Sequence, residues 1–204
     1  MTVNSEVCSR LRDDIFAGVL SPGEKLTVST LAKRYGVSPM PVRVALQELQ
    51  GEGLISGEPN RGARVRVIDA EFVENVFDLR IAVLELLFHK CVRFISNADI
   101  ERIETIQTQL EEAASSGDLD QVRLINRTFH SAIHAIARNP EAKMVVERNW
   151  ILVDALRYKL GFREGRVREM NETHRSIIEA LKRRDGQRAF ALQKQSSELA
   201  KTEL

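Results

Sequence analysis

Three histidines and one asparagine are the residues of this chain whose types and spacing suggest a ligand site. Asn126, His130 and His134 follow one another every four residues, so they share one face of a helix and border its apolar arc. His174 belongs to a later helix, and two neutral imidazoles from different helices can hold a divalent transition metal. The alternative is that each histidine is a surface or hydrogen-bonded core residue. Spacing alone favours that alternative, because no acidic residue stands one turn from His130.

A second group of residues has the pattern of a helix–turn–helix. Ala32 is a small residue in the first helix of the pair, and Gly36, four residues later, suits a left-handed turn. Four apolar residues are expected to anchor the second helix to the core: Val37, Val42, Leu46 and Leu49. The N-terminal end of that helix is then exposed, and this end of a recognition helix meets base edges in the major groove. It carries a candidate cap, Ser38, followed by Pro39, Met40 and Arg43.

An alternating segment after the helix–turn–helix predicts a two-stranded β hairpin. Segments 54–56 and 63–67 flank a turn at 58–62, and the second segment has valines on one face and arginines on the other. The tip carries Arg61, Gly62 and Arg64, which suits a phosphate ridge or the minor groove. The alternative is a small helical domain with solvated arginines. The two patterns together favour DNA binding.

Composition is that of an ordinary globular chain. Its 204 residues are 43% hydrophobic, 5% aromatic and 29% charged, and the net charge of +1 excludes a chain that coats nucleic acid indiscriminately. No apolar run approaches the roughly 18 residues of a membrane span, and the first residues lack a signal-peptide pattern. Cys8 and Cys91 are too few for a disulfide framework, so we expect reduced thiols and a cytoplasmic protein.

Periodicity divides the chain into two unlike parts and predicts a mostly α fold. Residues 1–68 are expected to form three helices, the last two at about 28–35 and 40–52, and the hairpin. Residues 69–204 show only helical periodicity and are predicted to form a six-helix antiparallel bundle. Asn97 and Asp118 are candidate caps in this bundle. Its first helix has one apolar stripe, expected to pack inward: Phe72, Val76, Leu79, Val83 and Leu86.

Three blocks of the N-terminal part are distinctive enough to indicate a family: SPGEKL, YGVSPMPVRVALQEL followed by EGLI, and NRGARV. With them, nearly all of residues 7–67 resembles the winged helix–turn–helix domain of the GntR family of bacterial transcription factors. The resemblance places Arg43 and Gly62 on the family's DNA-contacting arginine and wing glycine, and it implies that Ser29 also reaches DNA. Many relatives have arginine where this chain has Pro39, so a relative's operator sequence does not transfer.

The C-terminal part carries the blocks FDLRIAVLE, NRTFHSAIHAIARN and ETHRSIIEALKRRD. With them, residues 72–200 resemble the all-helical FCD-type effector domain of the FadR branch of that family, and six helices suggest its VanR-like subgroup. Many members bind a metal through one aspartate and three histidines, and small carboxylates then coordinate the metal. His130 and His174 match two of those histidines, whereas Asn126 and Ser196 stand in the other two positions. Tight metal binding is therefore expected to be lost or much weakened.

The resemblance implies an effector pocket in the bundle. We expect Asn126, His130 and His174 to hydrogen-bond an effector directly. Arg80, which relatives aim into this pocket, would hold a carboxylate by a bidentate contact. Arg157 is a second candidate for that contact, and pairing with a surface acid explains it equally well.

Together these features predict a ligand-responsive transcriptional regulator, most often a repressor in this family. Residues 1–68 would bind DNA, and residues 69–204 would bind the effector and dimerise. The expected partners are double-stranded palindromic operator DNA, a small organic acid or amino-acid-like effector and a second copy of the chain, without a membrane. One alternative is a metal-assisted hydrolase using His130, His134 and His174, although it lacks a carboxylate base or nucleophile. The other is an architectural DNA binder that senses nothing.

Overall fold

The computed structural model describes residues 3–57, 62–160 and 163–203, with only the backbone described at positions 149, 151–152 and 154–160. Nine helices and three short strands occupy these residues. The helices are α1 (Val3–Phe16), α2 (Val28–Tyr35), α3 (Pro39–Glu52), α4 (Ala70–Phe94), α5 (Asn97–Ser116), α6 (Leu119–Ile136), α7 (Pro140–Leu160), α8 (Arg166–Lys182) and α9 (Gly186–Thr202). The strands are β1 (Lys25–Leu26), β2 (Ile55–Ser56) and β3 (Ala63–Val65). The predicted mostly α fold is confirmed.

Backbone contacts divide the chain into two compact units. The N-terminal unit comprises Met1–Val73 and Arg148–Lys159, and the C-terminal unit comprises Glu74–Glu147 and Leu160–Leu204. The domain boundary proposed between residues 68 and 69 stays a prediction. Among the described helices, none combines the length and the apolar character that crossing a bilayer requires.

The N-terminal unit is built around α1 and α3, which pack against each other. Val7, Leu11 and Ile15 recur every fourth residue along α1 and are all buried, because this spacing places them on one face of the helix. The facing stripe of α3 has no exposed surface at Val42, Ala45, Leu46 and Leu49. The core of this unit therefore fixes the rotation of α3 about its own axis.

α2 and α3 form the predicted helix–turn–helix. Thr27 caps α2, since its side chain accepts a hydrogen bond from the Thr30 amide at 3.3 Å. Gly36 ends the helix in the left-handed conformation, with φ at 67°, and its amide donates to the Ala32 carbonyl. The Val37 amide reaches the same carbonyl at 3.1 Å. Gly36 is thus the turn residue that the sequence predicts.

The wing is a three-stranded sheet rather than a two-stranded hairpin. β3 is its central strand and pairs antiparallel with β2, as predicted, and with β1 on its other side. β1 was not predicted, because two residues are too few to show an alternating pattern. A Cβ at Gly57 would lie 2.6 Å from the Gly62 carbonyl oxygen, and Gly57 has a φ of 85°. This close approach of two backbone segments requires glycine at position 57.

In the part of the chain after residue 69 that the structure describes, six helices are present, α4 to α9, as predicted. Their main core contains Leu84, Phe88, Phe129, Ile133 and Ile177. Asp118 caps α6 as expected, because its side chain accepts a hydrogen bond from the Gln121 amide at 3.0 Å. The cap of α5 is Ser96 rather than Asn97, since Ser96 and Asp99 form a capping box.

α4 turns a different face to the core from the stripe that the sequence suggested. The buried face consists of Phe77, Arg80, Leu84, Leu87, Phe88 and Cys91. Leu79 and Leu86 of the expected stripe are 52% and 46% exposed, while Val76 and Val83 are half-buried. α4 has apolar residues on two faces, and periodicity alone does not say which face packs inward. The interpretation of the expected stripe as the packing face was therefore wrong.

Both cysteines are buried free thiols, one in each unit. Cys8 lies on α1 and Cys91 on α4. Burial raises the pKa of each thiol to about 12, and a hydrogen bond to Glu48 adds to the effect at Cys8. The reactive thiolate form is therefore scarce at both positions at neutral pH.

Replacing Gly36 with alanine should lower the free energy of unfolding by roughly 1 kcal/mol, because alanine resists the left-handed φ of 67°. Gly51 provides a matched control, since it lies within α3 and a Cβ at either glycine meets no atom within 4 Å. Gly51→Ala should raise the free energy of unfolding by about 0.5–1 kcal/mol. Urea unfolding of the full chain measures both. Effects of the same sign at the two positions would contradict this explanation.

Candidate DNA interface and buried polar centre

The start of α3 exposes the residues that the sequence places against DNA. Ser38 and Pro39 are exposed, and Met40 is 65% exposed although its side chain is apolar. Arg43, one turn further along the helix, is also exposed. Val42, between them, has no exposed surface. One end of α3 thus faces solvent while the adjoining face is anchored in the core.

Ser38 occupies the N-cap position of α3, but its side chain makes no cap hydrogen bond. Ser38 is thus the N-cap residue that the sequence predicts, but it does not cap the helix through its side chain. A capping hydroxyl accepts from the amide two or three residues into the helix. The third helical residue is Pro41, which has no amide proton. The exposed Ser38 hydroxyl is consequently not committed to a cap.

The wing and α2 position the other residues predicted to contact DNA. Ser29 is exposed near the start of α2, and Gly62 stands just before β3 with φ at 122°. Arg64 is exposed on β3, and its Nη1 donates to the Gly23 carbonyl at 3.0 Å. That hydrogen bond joins the central strand to the turn before β1. Arg61 lies outside the described residues, so its phosphate contact stays a prediction.

α6 and α8 bring polar side chains together inside the C-terminal unit. Asn126, His130 and His134 lie along one face of α6 and expose 6%, 6% and 2% of their surface. His174 of α8 is equally buried. Its ring stacks on Phe129 with the centroids 3.9 Å apart, and it meets His130 edge-on at 4.9 Å. We call these four polar residues, with the buried Arg80 and Arg166, the polar centre.

A buried amide orients the His174 ring. Nδ1 of His174 lies 2.8 Å from Oε1 of Gln107, which makes Nδ1 the donor, since an amide oxygen only accepts. The Gln107 amide nitrogen in turn donates to Asn171 and Glu111, each at 3.0 Å. Gln107 has no exposed surface and was not identified from the sequence. It lies among α5 residues whose only visible pattern was apolar.

The imidazoles of His134 and His174 are neutral at neutral pH. Burial lowers the pKa of His134 to about 3, and the positive charge of Arg80 adds to the effect. Burial also lowers the pKa of His174 to about 3, where Arg166 adds to the effect and Glu111 opposes it. Neutral rings can donate and accept hydrogen bonds, so the polar centre can recognise an uncharged polar group as well as an anion.

Two buried arginines flank the histidines. Arg80 of α4 is 3% exposed, and its Nη1 donates to the Val146 carbonyl at 3.1 Å. Arg166, the first residue of α8, is also 3% exposed and was missed in the sequence. It precedes His174 by eight residues, and this spacing places both on one helix face. The spacing is visible in the sequence, but it did not lead to the identification of Arg166 or of its burial.

The residues around His130 and His174 do not fit a zinc or nickel ion. Asn126 offers an amide oxygen and Ser196 a hydroxyl, where the resemblance expects a carboxylate and an imidazole. The Arg166 guanidinium lies against Ser196. Within the described residues, no three or more His, Cys, Asp or Glu side chains are grouped to hold a metal ion. Weak or lost metal binding stays a prediction. The Arg166 guanidinium is a further reason to expect it, because a positive charge beside Ser196 would repel a metal ion.

A surface cleft of about 840 Å³ lies beside α5 and α8, and none of the predicted effector residues lines it. Three arginines and two acids line it: Arg163, Arg168, Arg175, Glu111 and Glu172. Arg175 holds the Glu111 carboxylate with Nε and Nη2 at 2.7 and 2.6 Å. This internal pairing leaves little charge for an anionic ligand. The polar centre is therefore the stronger candidate for an effector site.

Arg157, the other predicted effector contact, lies where no side chains are described.

Comparisons with protein families match both units. Residues 4–65 match the gntR family of bacterial regulatory proteins. Residues 75–196, more than half of the chain, match the FCD domain. The first range contains the helix–turn–helix and wing, and the second contains the polar centre.

Similar curated proteins are named as transcriptional regulators. The HTH-type transcriptional regulator YdhC of Bacillus subtilis is 29% identical over 185 residues, which cover 89% of this chain and 81% of that protein. The HTH-type transcriptional repressor RspR of Escherichia coli is 28% identical over 184 residues, covering 90% and 81%.

Solved structures share the fold. A structure of Lar, described as controlling expression of the Listeria monocytogenes agr system, has a TM-score of 0.79 at 21% identity and covers all of this chain and 96% of that one. The structure of E. coli McbR/YncC has a TM-score of 0.71 at 21% identity, with coverage of 98% and 95%. At this identity the likeness shows the fold alone.

Proposed function

Because this chain belongs to the GntR family of bacterial regulators and carries an FCD domain, we propose that it is a dimeric, effector-responsive repressor. The coarser function, a DNA-binding transcriptional regulator rather than an enzyme, follows from the family and from the names of its relatives. The exposed start of α3 supports the DNA-binding part of this proposal, and the buried polar centre supports the effector part. The metal-assisted hydrolase has no support in these relatives.

Two copies of α3 would read the two halves of a palindrome whose centres lie one helical turn, roughly 34 Å, apart. Arg43 would reach a base edge, since arginine contacts guanine by two parallel hydrogen bonds. Met40 would meet the methyl group of a thymine, because its exposed side chain offers only apolar contact. Ser29, Ser38, Gly62 and Arg64 would lie against the backbone, with Arg61 at the wing tip.

Arg43→Ala should weaken binding to an operator selected from random DNA by about 1–3 kcal/mol and relax specificity at one position. Arg64→Ala should weaken binding to all sequences evenly and reduce the salt slope by about one unit. The matched control is Arg168→Ala, whose side chain is 79% exposed in the C-terminal unit and should leave affinity unchanged.

Fluorescence anisotropy over a series of salt concentrations separates the two effects, because base contacts and phosphate contacts differ in salt dependence. Unchanged affinity in both Arg43→Ala and Arg64→Ala would exclude the proposed interface. A loss of affinity in Arg168→Ala as large as that in Arg43→Ala would also contradict it.

The proposed dimer interface is the exposed apolar face of α4, defined by Val76, Leu79, Val83 and Leu86. Leu79 and Leu86 are seven residues apart, so they lie on one side of the helix, and about half of each is exposed. Apolar groups that remain exposed on one helix face are typical of an interaction surface. A two-fold axis would pair this face with itself, since most homodimers use one patch twice.

Leu79→Glu/Leu86→Glu should raise the dimer dissociation constant by roughly 100-fold or more, because four carboxylates would be buried without partners. The matched control is Leu124→Glu/Met144→Glu, which changes two other leucine and methionine side chains that are each 58% exposed. Light scattering during size-exclusion chromatography measures the mass of each variant. A dimeric α4 variant, or a control that dissociates equally, would exclude this interface.

The proposed effector is a small carboxylate-bearing molecule held in the polar centre. Arg80 would supply a guanidinium, while Asn126, His130 and the neutral His174 would supply hydrogen-bonding groups. The support is that these side chains are buried together rather than scattered over the surface. A coupling of only about 1–3 kcal/mol between effector and operator suffices for regulation. Arg157 remains a candidate outside the described side chains.

A thermal-shift screen of small carboxylic acids and amino acids should find a ligand that stabilises the chain by about 2.7 kcal/mol at 100 times its dissociation constant. Asn126→Ala should reduce that shift, measured from the variant's own melting temperature, whereas Leu124→Ala on the exposed side of α6 should retain it. Silence across the panel with intact DNA binding would favour the architectural DNA binder.

A further inference from the structure

Arg166 is a positive charge placed inside the C-terminal unit. Only 3% of its surface is exposed, and its Nε lies 3.2 Å from Oε2 of Glu203, without the alignment of a hydrogen bond. Glu203 stands at the end of α9, and its side chain is 20% exposed. Glu203 offsets part of this charge, but a guanidinium is costly to bury even when it is paired, so its position calls for a role beyond filling space.

The outer nitrogen of Arg166 points at Ser196. Nη2 donates to the Ser196 carbonyl at 3.3 Å and to the Ser196 hydroxyl at 3.4 Å. Ser196 is the position at which the resemblance expects the last histidine of a metal site. A cation is therefore already present beside one of the four positions of that site.

Two buried side-chain oxygens of the C-terminal unit lack hydrogen-bond donors among the described residues. Oδ1 of Asn126 and Oε1 of Gln193 are buried and accept no hydrogen bond from the described residues. Asn126 lies one turn before His130, and Gln193 lies three residues before Ser196, hence on the same side of α9. Two buried amide oxygens without donors and a buried guanidinium in the same unit suit a ligand that carries both an anionic group and hydroxyl or ammonium protons.

We propose that the Arg166 guanidinium supplies the positive charge that a metal ion supplies in metal-binding members of the family, so the polar centre takes its ligand without a metal. The ligand class is a small hydroxy acid or amino acid, with its carboxylate toward Arg166 rather than toward Arg80 and its hydroxyl or ammonium group toward the amide oxygens. This ligand rests on the proposed effector function. The exclusion of a metal by Arg166 does not depend on that function.

The experiment restores the missing ligands and then removes the arginine. Asn126→Asp/Ser196→His completes the aspartate and three-histidine set while Arg166 stays in place. Asn126→Asp/Ser196→His/Arg166→Ala removes the competing cation, and the matched Arg166→Lys triple variant keeps a positive charge. Each protein is titrated with nickel chloride in a calorimeter, and circular dichroism confirms that each is folded.

The alanine triple variant should bind nickel at least tenfold more tightly than the double variant, and the lysine triple variant should remain as weak as the double variant. Equal nickel affinity with and without Arg166 would overturn the proposal. So would near-stoichiometric zinc or nickel in the unmodified chain purified without chelator, a measurement that needs no variant to fold. Neither result involves operator binding, so failure here leaves the DNA-binding function standing.

Discussion

Four apolar side chains hold α3 in a single rotation, and the DNA-facing surface depends on that rotation. Val42, Ala45, Leu46 and Leu49 have no exposed surface, and they form one stripe of the helix. Turning α3 by one residue, about 100°, would move a leucine into water and carry a polar side chain into the core. Met40 and Arg43 therefore face solvent because the opposite side of their helix is fixed by burial.

The sequence predicted the elements of the N-terminal unit well because each carries a local signal. Gly36 marks a left-handed turn, and the alternation around Val65 marks a strand. β1 escaped prediction because its two residues are ordered by pairing with β3, a contact between distant parts of the chain. Ser38 was a reasonable cap by type, but its side chain makes no cap hydrogen bond, and Pro41 removes one of the two amides that such a cap could bind.

The sequence predicted the number of helices after residue 69, but it did not predict which face of α4 is buried. α4 carries apolar residues on two sides, and only the neighbouring helices decide which side is buried. His130 and His134 were found because a spacing of four is visible in the sequence. Arg166 was not, since arginine is mostly exposed in proteins and nothing local indicates that it is buried. Its contact with Ser196 joins α8 to α9 across thirty positions of sequence.

The two inaccessible thiols give the chain a convenient chemical property. Because burial suppresses ionisation at Cys8 and Cys91, maleimide and iodoacetamide reagents meet no ready nucleophile on the native protein. A single cysteine introduced at an exposed position, such as Met144, would become the preferred site of modification. Spin or fluorescent probes can thus be attached at chosen points of either unit, and the natural cysteines need not be removed first.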